Sequence, residues 1–181
     1  MEEKVVLVDT NDNEIGLMGK QEAHEKAVLH RAVSVIILNS NSEMLIQQRA
    51  LHKYHSPGKW ANASCTHPRK GEKPVDAANR RLEEEMGIKA ELKKIFDFVY
   101  KAKFDNGLTE HEFDHVLLGF VENETIPNIN TDEVCNYQWI KLDKLKQELK
   151  SNPEKYTPWF RIIMEEMFSL INTNNLQLST V

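Results

Sequence analysis

Three histidines, two glutamates and a cysteine carry the chemistry open to this chain: His24, His30, His67, Glu110, Glu112 and Cys65. Three imidazoles with two carboxylates form a borderline-to-hard donor set, suited to Mn2+, Mg2+ or Zn2+ rather than to a soft metal. Cys65 stands two positions before His67 in WANASCTHP, so a locally extended backbone would aim both side chains at one face. A thiol there is a reactive group beside a cation. Taken singly, each histidine also fits a surface or core position, and Glu-X-Glu on an exposed strand is commonplace. Only convergence makes these residues a site.

Convergence depends on the elements that carry them. Glu110 and Glu112 fall on a strand expected over 110–122, joined by a turn at 104–107 to another over 90–103. Their spacing of two puts both carboxylates on one face. His24 lies on a short helix expected over 20–26 and can meet His30 only if that helix stops at about 27–29. The clearest helix is 74–87, with Pro74 at its first position, Asp76 in its first turn, Gly87 at its exit, and Val75, Ala78, Leu82 and Met86 at helical spacing. A strand over 5–8 ends in a turn at 9–13. Strands over 32–38 and 44–48 flank NSNS as a hairpin, a further strand covers 137–140, and a helix covers 142–149. Thr157-Pro158 caps a final helix to Ile171 that turns Ile162, Ile163, Met167 and Leu170 inward. One α+β domain over 1–171, with a frayed tail over 172–181, is the expectation.

Composition narrows the function classes. With 40% hydrophobic and 28% charged residues, 181 residues can bury a proper core. A net charge of −5 argues against a nucleic-acid or membrane-surface binder, while local basic clusters could still hold an anion. Cys65 and Cys135 are too few for a disulfide scaffold and fit a reducing compartment; Cys135 is expected to be a half-buried bystander. The acidic N-terminus is not expected to be a signal peptide, and no apolar run approaches a membrane span. A cytoplasmic protein is expected.

The segment GEKPVDAANRRLEEEMGI (Gly71–Ile88) resembles the Nudix box, whose helix carboxylates bind cations that grip a diphosphate. Glu72 matches its early glutamate, Arg80 its arginine, Glu84 and Glu85 its acidic pair, and Gly87-Ile88 its close. Thr66 replaces the opening glycine, and Arg81 stands where hydrolases carry a further glutamate. Exchanging that carboxylate for a cation weakens a multi-metal, water-activating site. The helix alone also reads as a solvated charged one with an Arg81–Glu85 pair. Over about Val5 to Ile171 the chain resembles the type 1 isopentenyl-diphosphate isomerases. The resemblance rests on KQEAHEKAVLHRA, QQRALHKYHSPGKWANASCTHP, the altered box, Tyr100, TEHEF (Thr109–Phe113) and TPW (Thr157–Trp159).

The resemblance implies a Nudix-type mixed β-sheet core flanked by helices, and a proton added to one carbon of an alkene while another leaves. It assigns Cys65 to one face of the substrate and Glu112 to the other, with Tyr100 orienting or relaying the proton and Trp159 covering the pocket. The cage would be His24, His30, His67, Glu110 and Glu112, filled by Mn2+, Mg2+ or Zn2+. Lys20, Arg49, Lys53 and Arg81 would grip the diphosphate, and a Mg2+ would join it to Glu85 and to the backbone carbonyl of Cys65. His111 should point away from the metal. The partner would be a small isoprenoid diphosphate, with no nucleic acid and no membrane, in a monomer or homodimer. A Nudix pyrophosphohydrolase and a non-catalytic diphosphate-binding domain are the competing readings.

Overall fold

The structure is a computed structural model describing residues 3–53, 55–104, 107–173, 176 and 178. Its centre is β3 (His30–Asn39), which pairs in parallel with β8 (Thr109–Val121) along its whole length. On its other edge β3 takes β6 (Ser64–Thr66) antiparallel, through Val33–Thr66, Ser34–Cys65 and Val35–Ser64. β7 (Lys93–Lys103) extends the sheet beyond β8. At the N-terminus β1 (Lys4–Val8) and β2 (Glu14–Gly19) form a hairpin that joins β3 at one position, Leu7 opposite His30.

The expected hairpin of β3 with β4 (Glu43–Arg49) exists only at its root, where Leu38 faces Met44. Beyond it the strands part. β4 pairs instead with β9 (Val134–Lys141) and with the short β5 (Trp60–Ala61). Directly paired residues share a face, so even positions of β3 and β8 line one side and odd positions the other. Ile36, Leu38, Val116 and Leu118 belong to the core under α4 (Pro158–Asn172), with Phe160, Ile163, Met164 and Met167. Val33, Val35, Ile37 and Leu117 pack with Ala78, Leu82 and Met86 of α2 (Pro74–Met86). Each Val, Leu, Ile, Phe or Met among them contributes roughly 1.5–3 kcal/mol by leaving water. Toward the N-terminal ends of β3 and β8 the even face turns polar, with His30, Ser34, Glu112 and Asp114, all buried.

α1 (Lys20–Lys26) ends where expected, at Ala27 with left-handed backbone (φ 53). α2 ends at Gly87 (φ 64), where an added Cβ would meet the Asn128 backbone oxygen at 2.8 Å, so both conformation and contact require glycine. α3 (Leu142–Ser151) follows β9 directly. β2 was not expected: EIGLMG holds two glycines and lies at the sheet edge with Ile15 65% exposed, so neither alternation nor burial marks it. The inward face of α4 is Trp159, Phe160, Ile163, Met164 and Met167, while Ile162 and Leu170 are only half-buried. Thr157 is the N-cap residue of α4 but makes no side-chain cap bond. The turn at 104–107 includes Asp105 and Asn106, outside the described residues. The expected fraying also falls largely outside them, and Leu176 and Leu178 pack against the core.

Candidate active site

The turn at Ala27 folds His24 back over the start of β3. Ring centroids lie 5.1 Å apart for His24–His30, 4.9 Å for His30–His67 and 5.7 Å for His24–His67. Glu112, opposite His30 on β8, accepts a hydrogen bond from His67 Nε2 at 3.0 Å and lies 3.6 Å from His30 Nε2. One ligand atom from each of His24, His30, His67 and Glu112 lies within 4.8 Å of the others. Among the described residues, His24 Nε2, His30 Nε2 and His67 Nδ1 are buried without a hydrogen-bond partner. Each unsatisfied nitrogen costs about 1–3 kcal/mol, and a cation would relieve that cost. Burial, then the neighbouring His67 and His30, lowers the His24 pKa to about 4; burial also lowers that of His67. Neutral imidazole is the form that binds metal. Burial alone would raise Glu112, but His30 and His67 outweigh it and hold this carboxyl well below the usual range. The cluster fits a divalent cation in donor type, protonation and spacing.

Glu110 shares the face of Glu112, as strand parity requires, but its carboxyl is not among the four convergent groups. The Tyr100 hydroxyl lies 2.6 Å from Glu112 Oε2 and 3.2 Å from Glu110 Oε2. Burial, then the Glu112 charge, pushes Glu110 well above the normal carboxylate range and Asp114 likewise. Ser34 Oγ donates to Asp114 Oδ2 at 2.8 Å and lies 3.5 Å from Cys65 Sγ. The Cys65 thiol donates to Asn62 Oδ1 at 3.1 Å. Asn62 Nδ2 is spoken for by Ser64 O at 2.8 Å and Val35 O at 3.2 Å, which turns the amide oxygen toward the thiol. Burial raises the Cys65 pKa, so the thiol keeps its proton. A protonated thiol and an ionised carboxylate thus line one cavity of about 420 Å³.

The rest of that cavity carries cations, their carboxylate partners and an aromatic ring. Lys20, Arg49, Lys53, Arg81 and Trp159 all line it. The Arg49 guanidinium stands 5.2 Å from the Trp159 ring centroid, a cation–π distance. His55 packs 5.6 Å from Trp159, and burial followed by Arg49 lowers its pKa to about 3. Lys20 pairs with Glu3 at 3.1 Å. Arg81 is held at 2.8 Å by Glu85, 3.0 Å by Glu84 and 3.2 Å by Glu133, and Lys53 also pairs with Glu133. Glu85 accepts from Gln47 Nε2 at 2.7 Å. Arg80 clamps Glu72 through two bonds of 2.8 and 3.0 Å, bracing the loop before α2.

The side chains expected to act therefore gather in one place, with His30 fully buried against the other two imidazoles rather than lining the cavity. His111 turns away, its Nδ1 2.9 Å from Ala27 O. Cys135 is exposed, not half-buried, because it is the residue skipped at a β-bulge between the Gln48–Asn136 and Arg49–Val134 pairs; its thiol reaches Arg49 O at 3.3 Å. Ser34, Gln47, Asn62, Asp114 and Glu133 were not singled out. Asp114 continues the alternation of Glu110 and Glu112, a signal that was available. The others come from elements that meet only in three dimensions.

Residues 28–160 match the NUDIX domain model. A Deinococcus radiodurans structure superposes with a TM-score of 0.73 at 16% identity, covering 91% of this chain and 98% of that one. A MutT protein from Methanosarcina mazei gives 0.63 at 18% identity, covering 82% and 96%. At such identities the likeness shows the fold alone; the domain model, which spans most of the chain, shows a Nudix domain. The isopentenyl-diphosphate Delta-isomerase 2 of Aromatoleum aromaticum is 45% identical over 174 residues, covering 96% of this chain and 91% of that protein. The isopentenyl-diphosphate Delta-isomerase of Pectobacterium atrosepticum is 48% identical over 159 residues, covering 88% of each. Within the Nudix superfamily, the chain belongs to the type 1 isopentenyl-diphosphate Delta-isomerases.

Proposed function

We infer that this protein interconverts isopentenyl and dimethylallyl diphosphate, an allylic isomerisation of isoprenoid precursor biosynthesis. The observation that carries the reading is the pairing of a proton-bearing thiol, Cys65, with an ionised carboxylate, Glu112, on strands that flank β3 from opposite sides. Moving a double bond along a five-carbon chain adds a proton to one terminal carbon and removes one from the carbon on the far side of the alkene. A tertiary carbocation-like state lies between, so an acid and a base must both reach the chain. Cys65 and Glu112 are that pair, and each donates in one direction and accepts in the other. Tyr100 orients the Glu112 carboxyl. Trp159 offers a π face to the positive charge.

A divalent cation held by His24, His30, His67 and Glu112, with Glu110 as fifth ligand, would fix the Glu112 carboxyl and set its acidity. Mn2+, Mg2+ and Zn2+ all suit that donor set. Lys20, Arg49, Lys53 and Arg81 grip the diphosphate. Glu85 and the backbone carbonyl of Cys65 would hold a Mg2+ that accompanies the diphosphate and offsets its charge. Residues 1–171 act as one isomerase domain, in the cytoplasm, as monomer or homodimer, without nucleic-acid or membrane partners. In support stand the net charge of −5 and, among the described residues, no helix long and apolar enough to cross a membrane. Hydrolysis is disfavoured because Arg81 neutralises Glu84 and Glu85, the carboxylates that a water-activating site would need. Incubation with isopentenyl diphosphate and Mg2+, followed by proton and phosphorus NMR, should give dimethylallyl diphosphate. Release of phosphate at a comparable rate would instead establish a pyrophosphohydrolase.

A further inference from the structure

Glu133 lies outside the Nudix box, yet it is fixed against the box helix. Asn128 N–H donates to Met86 O and Asn130 N–H to Glu85 O, each at 2.9 Å, which ties the loop before β9 to the last turn of α2. Glu133 N–H donates to Asn130 O at 2.9 Å, and Ala50 N–H to Glu133 O at 2.9 Å. Its carboxylate is thereby held where one oxygen, Oε2, meets both Lys53 Nζ and Arg81 Nη2. Arg81 Nη2 is shared in turn with Glu85 Oε1 at 2.8 Å. On the cavity wall Lys53 and Arg81 thus share Glu133, and Arg81 is shared with Glu85, with Glu84 also on Arg81 at 3.0 Å. The two cations are those that the isomerase reading assigns to the diphosphate.

We propose that Glu133 is a positioning residue that makes diphosphate binding conditional on a divalent cation. The inference rests on the isomerase reading and extends it to the order in which charges are exchanged. A diphosphate that engages Lys53 and Arg81 draws them from Glu133 and Glu85. Glu85 is buried and Glu133 half-buried, so stranding either carboxylate is costly. A diphosphate arriving with a divalent cation replaces the positive charge it removes, while a bare diphosphate leaves both carboxylates uncompensated. Glu133 therefore discriminates against the bare anion, and cation and diphosphate assist each other reciprocally.

Isothermal titration calorimetry with inorganic diphosphate as probe, with and without Mg2+, tests this on the full chain. Wild-type protein should bind far more tightly with Mg2+, by a factor of about 10². In Glu133→Gln that factor should fall by about tenfold or more, chiefly because binding without Mg2+ becomes tighter. Lys53→Gln/Glu133→Gln, which removes the pair without changing net charge, should show the same collapse and covers the case in which the single variant folds poorly. A Mg2+ factor left unchanged or enlarged in the folded variants overturns the proposal. So does an equal weakening with and without Mg2+, which would make Glu133 a mere brace. Wild-type protein that bound no diphosphate even with Mg2+ would instead sink the isomerase reading.

Discussion

The two ends of the cavity solve opposite problems with similar residues. At one end three imidazoles surround a single ionised carboxylate, and buried nitrogens go without partners. At the other, Arg81 and Lys53 are already saturated by Glu84, Glu85 and Glu133. The first arrangement is incomplete and gains by taking up a cation. The second is complete and can accept a ligand only by exchanging partners. A site that must hold one cation through many turnovers and release a charged substrate in each turnover needs both kinds of wall. Cys65 lines the same cavity as Glu112, so the proposed proton-transfer pair joins the cation end to the rest of the site.

The most damaging substitutions should strike that pair. Cys65→Ala and Glu112→Gln should each lower kcat by about 10²–10⁴, the usual loss for a proton-transfer group. Followed by NMR of the isomerisation, the first should spare both ends and the second should also release the cage metal. Near-normal turnover by Cys65→Ala would reduce the thiol to a packing group. One step smaller is a crossed comparison of the two walls. His67→Gln should weaken Mn2+ binding by about 10–100-fold and leave diphosphate affinity in Mg2+ nearly intact. Arg81→Gln should do the reverse, losing about 10–100-fold in diphosphate affinity through its charge-assisted bonds. Equal effects of either variant on both ligands would dissolve the distinction between the ends.

Much of the cation end was legible because its signals are local. The parity of Glu110 and Glu112, the stop of α1 before His30 and the Cys65–His67 pair each follow from spacing of a few residues. The diphosphate end was only half legible. Arg81 and Glu85 are helical neighbours, but Glu133 reaches them from a loop some fifty residues later, through backbone bonds that no periodicity announces. The same holds for Asn62, whose orienting role depends on two carbonyls, one of them on β3. β2 escaped notice because an edge strand with two glycines and exposed Ile15 needs no alternation. The parting of β3 and β4 after a single pair is likewise set by their other neighbours, β6, β8 and β9, and not by the NSNS turn.

Acidification separates the ends next. The folded pKa of His24, about 4, lies below its ordinary 6.5, so the unfolded chain takes up the proton first as pH falls. The stability this neutral imidazole contributes is complete above pH 6.5 and is lost progressively toward 4. In cation-free protein, wild type should therefore lose on the order of 1–2 kcal/mol relative to His24→Gln between about pH 7 and 5. Glu133, held below 4.5 by Lys53 and Arg81 against its burial, changes nothing in that window. Thermal melts of both proteins at the two pH values test this, and a difference independent of pH would mean that His24 is not kept neutral by its surroundings.

The smallest effect should come from the joint between the N-terminal hairpin and the sheet. His24 and Lys20 sit on α1, which follows that hairpin, while Glu85, Arg81 and Glu133 belong to α2 and the loop bonded to it. The hairpin is held by one strand pair, by a small cluster of Val6, Val8 and Phe113 with Leu29, and by Asp12. Asp12, in left-handed backbone at φ 63, receives Arg31 Nε at 2.6 Å and pairs with His115 Nε2 at 2.9 Å. Asp12→Asn preserves a backbone conformation that both residues tolerate and removes only the charge. Half-buried pairs of this kind contribute about 1 kcal/mol, so the melting temperature should fall by roughly 2–4 °C. Mn2+ affinity should fall a few-fold, because His24 must be carried into the cage by a looser hairpin. Diphosphate affinity in Mg2+ should change less, since of the four cations proposed to grip it only Lys20 follows that hairpin. Calorimetry with both ligands gives the ratio, and a larger loss for diphosphate than for Mn2+ would show that the hairpin serves the anion end.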